Sequence, residues 1–182
     1  MQYTQKFQKR EKKMKEFESL KTVLNKKVLT VVFNRPNEMN TFSGQMLKDI
    51  LELLDEAEKD DDIRAVIFTG SGKAFCAGAA LSSGEDTFDM SDKGKSDAEV
   101  KRDTGGILTL RLFDFKKPLI AAINGAAVGV GVTMTLPMDV RICSEKAKFG
   151  FVFAKRGIVP EACSSWFLPK IVGISNALQW CL

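Results

Sequence analysis

The feature that most constrains this chain occurs twice: a short apolar run that breaks into a glycine-rich turn followed by small residues. The first run, Arg64 to Thr69, passes through Gly70-Ser71-Gly72 into Ala74-Phe75-Cys76-Ala77-Gly78-Ala79-Ala80-Leu81. The second, Leu119 to Ile123, passes into Asn124-Gly125-Ala126-Ala127-Val128-Gly129-Val130-Gly131. Apolar runs of this length without polar alternation read as strands buried on both faces, the parallel-sheet type.

The rest of the chain supplies the partners such a sheet needs. Val28 to Asn34 is a β-rich run stopped by Arg35-Pro36-Asn37,. Ser43 is placed to N-cap a helix to about Asp60, in which Leu47, Ile50, Leu51, Leu54 and Ala57 form one apolar face,. A helix is predicted from Glu99 to Phe115, with Gly105-Gly106 marking a break near its beginning, and a short one from Val132 to Leu136,. Asp139 to Ser144 reads as a strand and Phe149 to Phe153 as an extended piece. Pro160 opens a helix to about Leu168, and Ser175 opens a last one,. Strands alternating with helices through short links give an α/β fold with a parallel or mixed sheet. No internal repeat is legible. Residues 1–27 are rich in lysine but interleaved with Glu11, Glu16 and Glu18, which predicts a solvated helical leader ahead of a core domain at 28–182,. Ser82 to Ala98 is polar and reads as a mobile loop able to cover a site,.

Several chemistries are excluded by composition. The chain contains no histidine, which removes Ser-His-Asp and Cys-His catalysis and the histidine zinc motifs,. Cys76, Cys143, Cys163 and Cys181 are too scattered for a metal cluster or a disulfide framework,. A net charge of +4 with interleaved acids is not the footprint of a nucleic-acid binder,. No stretch approaches the roughly 20 apolar residues of a membrane span. Gly70-Ser71-Gly72-Lys73 fails as a phosphate loop, because Ile67 and Ala74 stand where Gly and Ser or Thr are required,. Gly129-Val130-Gly131 fails as a dinucleotide fingerprint, because Met134 stands at the third glycine,. No metal and no cofactor is expected. With neither a secretory block nor a Ser-Lys-Leu end, cytoplasm is the default, mitochondrion and peroxisome being left open,.

Two glycine turns remain, Phe75 to Leu81 and Asn124 to Thr133. Glycine lets backbone approach a ligand closely, and the first N–H groups of a following helix lack partners. Facing each other, two such turns can offer two N–H donors to one oxygen, an oxyanion hole in which each donor is worth about 3–4 kcal/mol of barrier. The competing account is that the glycines only permit tight strand–helix packing.

From Val28 onward the sequence resembles the crotonase family, the enoyl-CoA hydratase/isomerase superfamily. The matching stretches are Asn34-Arg35-Pro36 with Met39-Asn40-Thr41, Gly72-Lys73-Ala74-Phe75-Cys76-Ala77-Gly78-Ala79, Lys117-Pro118-Leu119-Ile120-Ala121-Ala122-Ile123-Asn124-Gly125, and Asp139-Val140-Arg141. The resemblance implies a spiral of repeated β-β-α units and a backbone oxyanion hole that polarises an acyl-CoA thioester carbonyl. It implies donors at the N–H groups of Ala79 and Val130. The family's usual glycine is valine at 130, which keeps its N–H, and its usual aspartate after the first donor is Ala80. Met39, Cys76, Ala77, Gly78, Leu81 and Gly129 complete the implied substrate-binding set. The family also implies a homotrimer or hexamer, and further C-terminal helices beyond Leu182, so a truncated chain is expected.

An oxyanion hole does not choose the reaction; the nearby acid or base does. Hydratases of the family carry two glutamates, at the places where this chain has Thr133 and Phe153. Glu161, in Val159-Pro160-Glu161-Ala162-Cys163-Ser164-Ser165, resembles the proton-shuttling glutamate of the Δ3,Δ2-enoyl-CoA isomerases, with Ala162 replacing a glycine. Read without the resemblance, Glu161 is equally a first-turn glutamate after Pro160, favoured by the helix dipole. The resemblance implies an enoyl-CoA isomerase of fatty-acid β-oxidation with Glu161 as its base. Another crotonase reaction, hydration or acyl-CoA hydrolysis, and a non-catalytic acyl-CoA-binding or scaffold protein stay open beside it.

Overall fold

A computed structural model describes residues 15–80 and 103–182. The loop predicted at Ser82–Ala98 and the candidate Leu81 lie outside the described residues.

Eight strands and five α-helices follow in the order β1 (Leu20–Asn25), β2 (Val28–Phe33), α1 (Gly44–Lys59), β3 (Ala65–Gly70), β4 (Ala74–Cys76), α2 (Thr104–Asp114), β5 (Leu119–Ile123), β6 (Ala126–Val128), α3 (Val130–Thr133), β7 (Val140–Cys143), β8 (Lys148–Gly150), α4 (Ser164–Val172) and α5 (Ile174–Cys181). The first twelve elements are four β-β-α units. The larger sheet has the order β1-β2-β3-β5-β7, and the smaller one β4-β6-β8. From the second unit on, each unit's first strand joins the larger sheet and its second strand the smaller. All pairings are parallel except β1 with β2. The core lies between α1 and the larger sheet and around β4, with Phe33, Phe68 and Phe75 fully enclosed. Phe33 meets Phe75 edge-on at 5.1 Å and Phe68 at 5.9 Å.

Most predicted elements fall within a residue or two of their observed bounds. Ser43 caps α1, its hydroxyl accepting from the Met46 N–H at 3.2 Å. Three expectations are corrected. The helix predicted from Glu99 does not run through Asp103, whose extended backbone (ψ 155°) caps an α2 that begins at Thr104. The helical leader does not run to residue 27: Leu20–Asn25 form β1, antiparallel to β2, with Leu20 buried opposite Phe33. The cause is the turn at Lys26 and Lys27, whose φ of 47° and 66° are what a two-residue hairpin turn demands,. Nor does a helix start at Pro160. Ala162 and Cys163 have φ of 52° and 56°, in the left-handed region, so α4 begins only at Ser164,. In addition, α3 starts at Val130 rather than Val132, and β8 ends at Gly150, with Phe151–Phe153 continuing as irregular chain.

Candidate active site

The site is assembled where β4 and β6 end side by side. After β4, the Ala77 N–H donates to the Met39 carbonyl at 3.1 Å. The Gly78 carbonyl then accepts from the Phe42 N–H, and the Ala80 N–H donates to the Phe42 carbonyl, both at 2.8 Å. In this parallel bridge the residue between, Ala79, points its N–H the other way,. Gly78 has φ +105°, a conformation that side chains rarely adopt,.

After β6, Gly129 takes φ 52° and ψ −126° and opens α3. Its carbonyl accepts from the Val132 and Thr133 N–H groups at 3.0 Å, which leaves the Val130 N–H at the orphaned start of the helix,. Neither the Ala79 nor the Val130 N–H donates to a backbone acceptor among the described residues. The two turns face each other: a Cβ on Gly129 would stand 3.9 Å from the Gly78 Cα. Gly131 holds α3 against β4, since a Cβ there would lie 2.0 Å from the Cys76 carbonyl oxygen. The glycines permit the close packing, while the Val130 N–H is left open by its place at the start of α3 and the Ala79 N–H by its place in the parallel bridge.

Both turns open on a cavity of about 110 Å³ lined by Ala77, Gly78, Ala79, Gly129 and Val130, with Val128, Val152, Phe153, Arg156, Ile158 and Glu161 on the remaining walls. Glu161 is its only carboxylate among the described residues. The left-handed pair Ala162-Cys163 reverses the chain after it, and the Ser164 hydroxyl and N–H both donate to the Glu161 carbonyl, at 2.6 and 3.0 Å. This turn, rather than a helix start, aims the side chain inward. The Thr133 hydroxyl donates to Glu161 Oε1 at 3.2 Å. Burial pushes the Glu161 carboxyl up to about 7, the negative charge of Asp103 adds to the rise, and the Thr133 hydrogen bond opposes it,.

The sequence-predicted residues divide clearly. Ala77, Gly78, Ala79, Gly129, Val130 and Glu161 come together. Met39 and Cys76 do not line the cavity. Met39 lends its carbonyl to the first turn, and Cys76 is sealed in the core, where burial pushes its thiol up to about 11. The two places where hydratases carry acids hold a fully buried Thr133 that serves Glu161 and a buried Phe153 that walls the cavity. Sequence reasoning missed Asp103 and Arg156. The pattern Asp103-Thr104-Gly105-Gly106 carried a helix-start signal for the first, because Asp103 N-caps α2 through the Gly106 N–H,.

Other motif residues hold the turns. Asn40, fully buried, accepts from the Arg35 N–H at 2.9 Å and donates to the Ser71 and Ala74 carbonyls at 2.9 and 2.8 Å. Asn124 accepts from the Gly70 N–H at 3.0 Å. Asp139 accepts from the Leu119 N–H, and Arg141 donates to the carbonyls of Thr135, Leu136 and Met138 in the turns that follow α3. A larger apolar cavity of about 460 Å³, bordered by Val132, Leu136, Phe149, Phe151 and Trp180, is lined by neither Ala79 nor Val130 and, among the described residues, by no carboxylate. Among the described residues there is no cluster of three or more His, Cys, Asp or Glu that could hold a metal ion, and no helix long and apolar enough to cross a membrane.

Comparison with known proteins agrees with this geometry. Residues 24–182 match the family model described as enoyl-CoA hydratase/isomerase. The enoyl-CoA hydratase ACTT3 of Alternaria alternata is 43% identical over 152 residues, 84% of this chain and 49% of that protein. The 1,2-epoxyphenylacetyl-CoA isomerase of Escherichia coli is 36% identical over 85% of this chain and 58% of its own length. Enoyl-CoA delta isomerase 2 of Rattus norvegicus is 36% identical over 85% of this chain and 39% of its own length. The chain thus spans about half the length of the curated relatives it matches. Among solved structures, an enoyl-CoA hydratase/isomerase from Acinetobacter baumannii superposes with a TM-score of 0.81 at 29% identity, over 92% of this chain and 66% of that one. The paired glycine turns, the four β-β-α units and the match over residues 24–182 together place this chain in the enoyl-CoA hydratase/isomerase family, the crotonases.

Proposed function

We propose that this chain is the core of an acyl-CoA enzyme that moves a double bond from the 3,4 to the 2,3 position of an enoyl-CoA. The observation that carries the reading is that Glu161 is the one carboxylate, among the described residues, lining the cavity onto which both free N–H groups open. The thioester oxygen accepts from Ala79 and Val130. The Glu161 carboxylate takes a proton from C2, and the electron pair moves into a dienolate whose charge rests on that oxygen. The same carboxyl then delivers its proton to C4, and the double bond is left between C2 and C3. One residue that both accepts and returns a proton works best with a proton affinity near the working pH, and about 7 meets that requirement,.

A panel assay of 3-enoyl-CoA thioesters on wild type and Glu161→Gln tests this. Turnover is lost in the variant while CoA-ester binding persists; unchanged turnover removes Glu161 from the mechanism. Hydration is the second reading, favoured by the names of the 42–43% identical relatives. It predicts 3-hydroxyacyl-CoA from 2-enoyl-CoA and water.

A further inference from the structure

We propose that Asp103 is a positioning residue for Glu161, its fixed negative charge held against the open flank of Gly105 so as to set how strongly Glu161 binds a proton. The inference rests on the proton-shuttle reading of Glu161.

The geometry begins at Gly105, in the first turn of α2. A Cβ there would lie 2.7 Å from Glu161 Oε2 and 3.0 Å from Asp103 Oδ1. The two carboxylate oxygens, with the Ala162 Cβ at 2.9 Å, therefore close on the bare face of Gly105 and leave less room than a methyl group needs. Asp103 is held in place as the N-cap of α2, where Oδ1 accepts from the Gly106 N–H at 2.6 Å. Glu161 is held from the opposite side, its Oε1 accepting from Thr133, so Oε2 is the oxygen turned to Asp103. Among the described residues, the polar or charged groups facing Glu161 also include Arg156, which lines the same cavity, and the Cys76 thiol on β4, which senses the Glu161 charge. No cation forms an ion pair with Glu161 among the described residues.

A negative charge at this range disfavours ionisation of its neighbour, and burial of Glu161 keeps solvent from screening the pair fully. The consequence is a stronger base. A carboxylate with ordinary proton affinity is a poor match for a carbon acid next to a thioester, and Asp103 shifts Glu161 toward that match without touching substrate. The capping role alone would be met by any neutral N-cap side chain. The charge is what only aspartate adds.

The test uses Asp103→Asn and Asp103→Ser, both of which keep a capping oxygen and remove the charge. The Glu161 carboxyl is titrated by difference infrared spectroscopy against Glu161→Gln in each background, a readout that needs no turnover. In parallel, the acid limb of kcat/KM is measured for a 3-enoyl-CoA. In wild type the titration is expected to centre at about pH 7. Both variants are expected to move the titration and the acid limb to lower pH, with cooperative unfolding retained. A Glu161 titration that stays in place in both variants overturns the proposal and leaves Asp103 a cap only. A titration that moves in a protein without isomerase turnover supports the electrostatic coupling and sinks the isomerase reading instead.

Discussion

Glu161 should weaken the fold that carries it, and Glu161→Gln should reveal by how much. The carboxyl sits at about 7 in the folded protein against 4.5 for an unperturbed glutamate, chiefly because burial disfavours its charged form. Below about pH 4.5 it is protonated in both states and has no effect on stability differences. Between 4.5 and 7 the folded state binds more protons than the unfolded one, so stability falls as pH rises, and above 7 the loss is complete,. A displacement of this size corresponds to about 3 kcal/mol. Glutamine keeps the shape and can still accept from Thr133, but it has no charge to desolvate. Glu161→Gln is therefore expected to be no more stable than wild type at pH 4. At pH 8 it should be more stable by about 3 kcal/mol, roughly 6–12 °C in Tm for a domain of this size. Urea unfolding of both proteins from pH 4 to 8.5 measures the difference directly. Parallel stability curves across that range would show that Glu161 is not held at a desolvated position, and the reasoning on its basicity would fail with them. The gain in stability should accompany the loss of turnover, as when a site keeps a strained charge for its chemistry.

Thr133→Val removes the hydrogen bond that opposes the rise at Glu161, so the acid limb of kcat/KM should move to higher pH, opposite in sign to the Asp103 variants. Gly131→Ala places a Cβ 2.0 Å from the Cys76 carbonyl and forces α3 off β4. A loss of about 1–3 kcal/mol in stability should come with a fall in kcat of about a hundredfold or more as Val130 leaves its place; unchanged kinetics would show that the joint does not set the donor geometry. Asn40→Ala removes the side-chain partner of the Arg35 N–H and of the Ser71 carbonyl at a fully buried position, and leaves the Ala74 carbonyl only the 3.4 Å bond from Asn124. Urea unfolding should register a loss of about 2–4 kcal/mol.

Much of the site was legible before any coordinates, and the reasons are local. Gly78 and Gly129 stand where φ must be positive, so their turns announce themselves in sequence. The fate of Glu161 was legible only by resemblance. Its surroundings read as a helix start, and Ala162 in a left-handed conformation gave no warning, since alanine there carries about 1–2 kcal/mol of strain that glycine would avoid,. Asp103 was illegible as a partner of Glu161, because 58 positions separate the two and only the packing of α2 beside the Ala162 turn brings them together. The repeated β-β-α path was likewise legible only by resemblance. The units share topology but place different side chains at matching positions, and a repeated path leaves no repeated pattern when only burial is preserved.

The sequence by itself determined the apolar strands that precede the two glycine turns, the turns themselves and the absence of any histidine, because these follow from residue types and spacings a few positions long. It thereby pointed to backbone N–H groups as candidate donors. Tertiary structure alone decided what those donors face. It turned Met39 and Cys76 away from the cavity, set Thr133 and Asp103 on opposite sides of Glu161, and buried that carboxyl enough to raise its proton affinity. Desolvation and charge–charge repulsion depend on distance through space, and distance through space is fixed only when the sheets close on the helices between them.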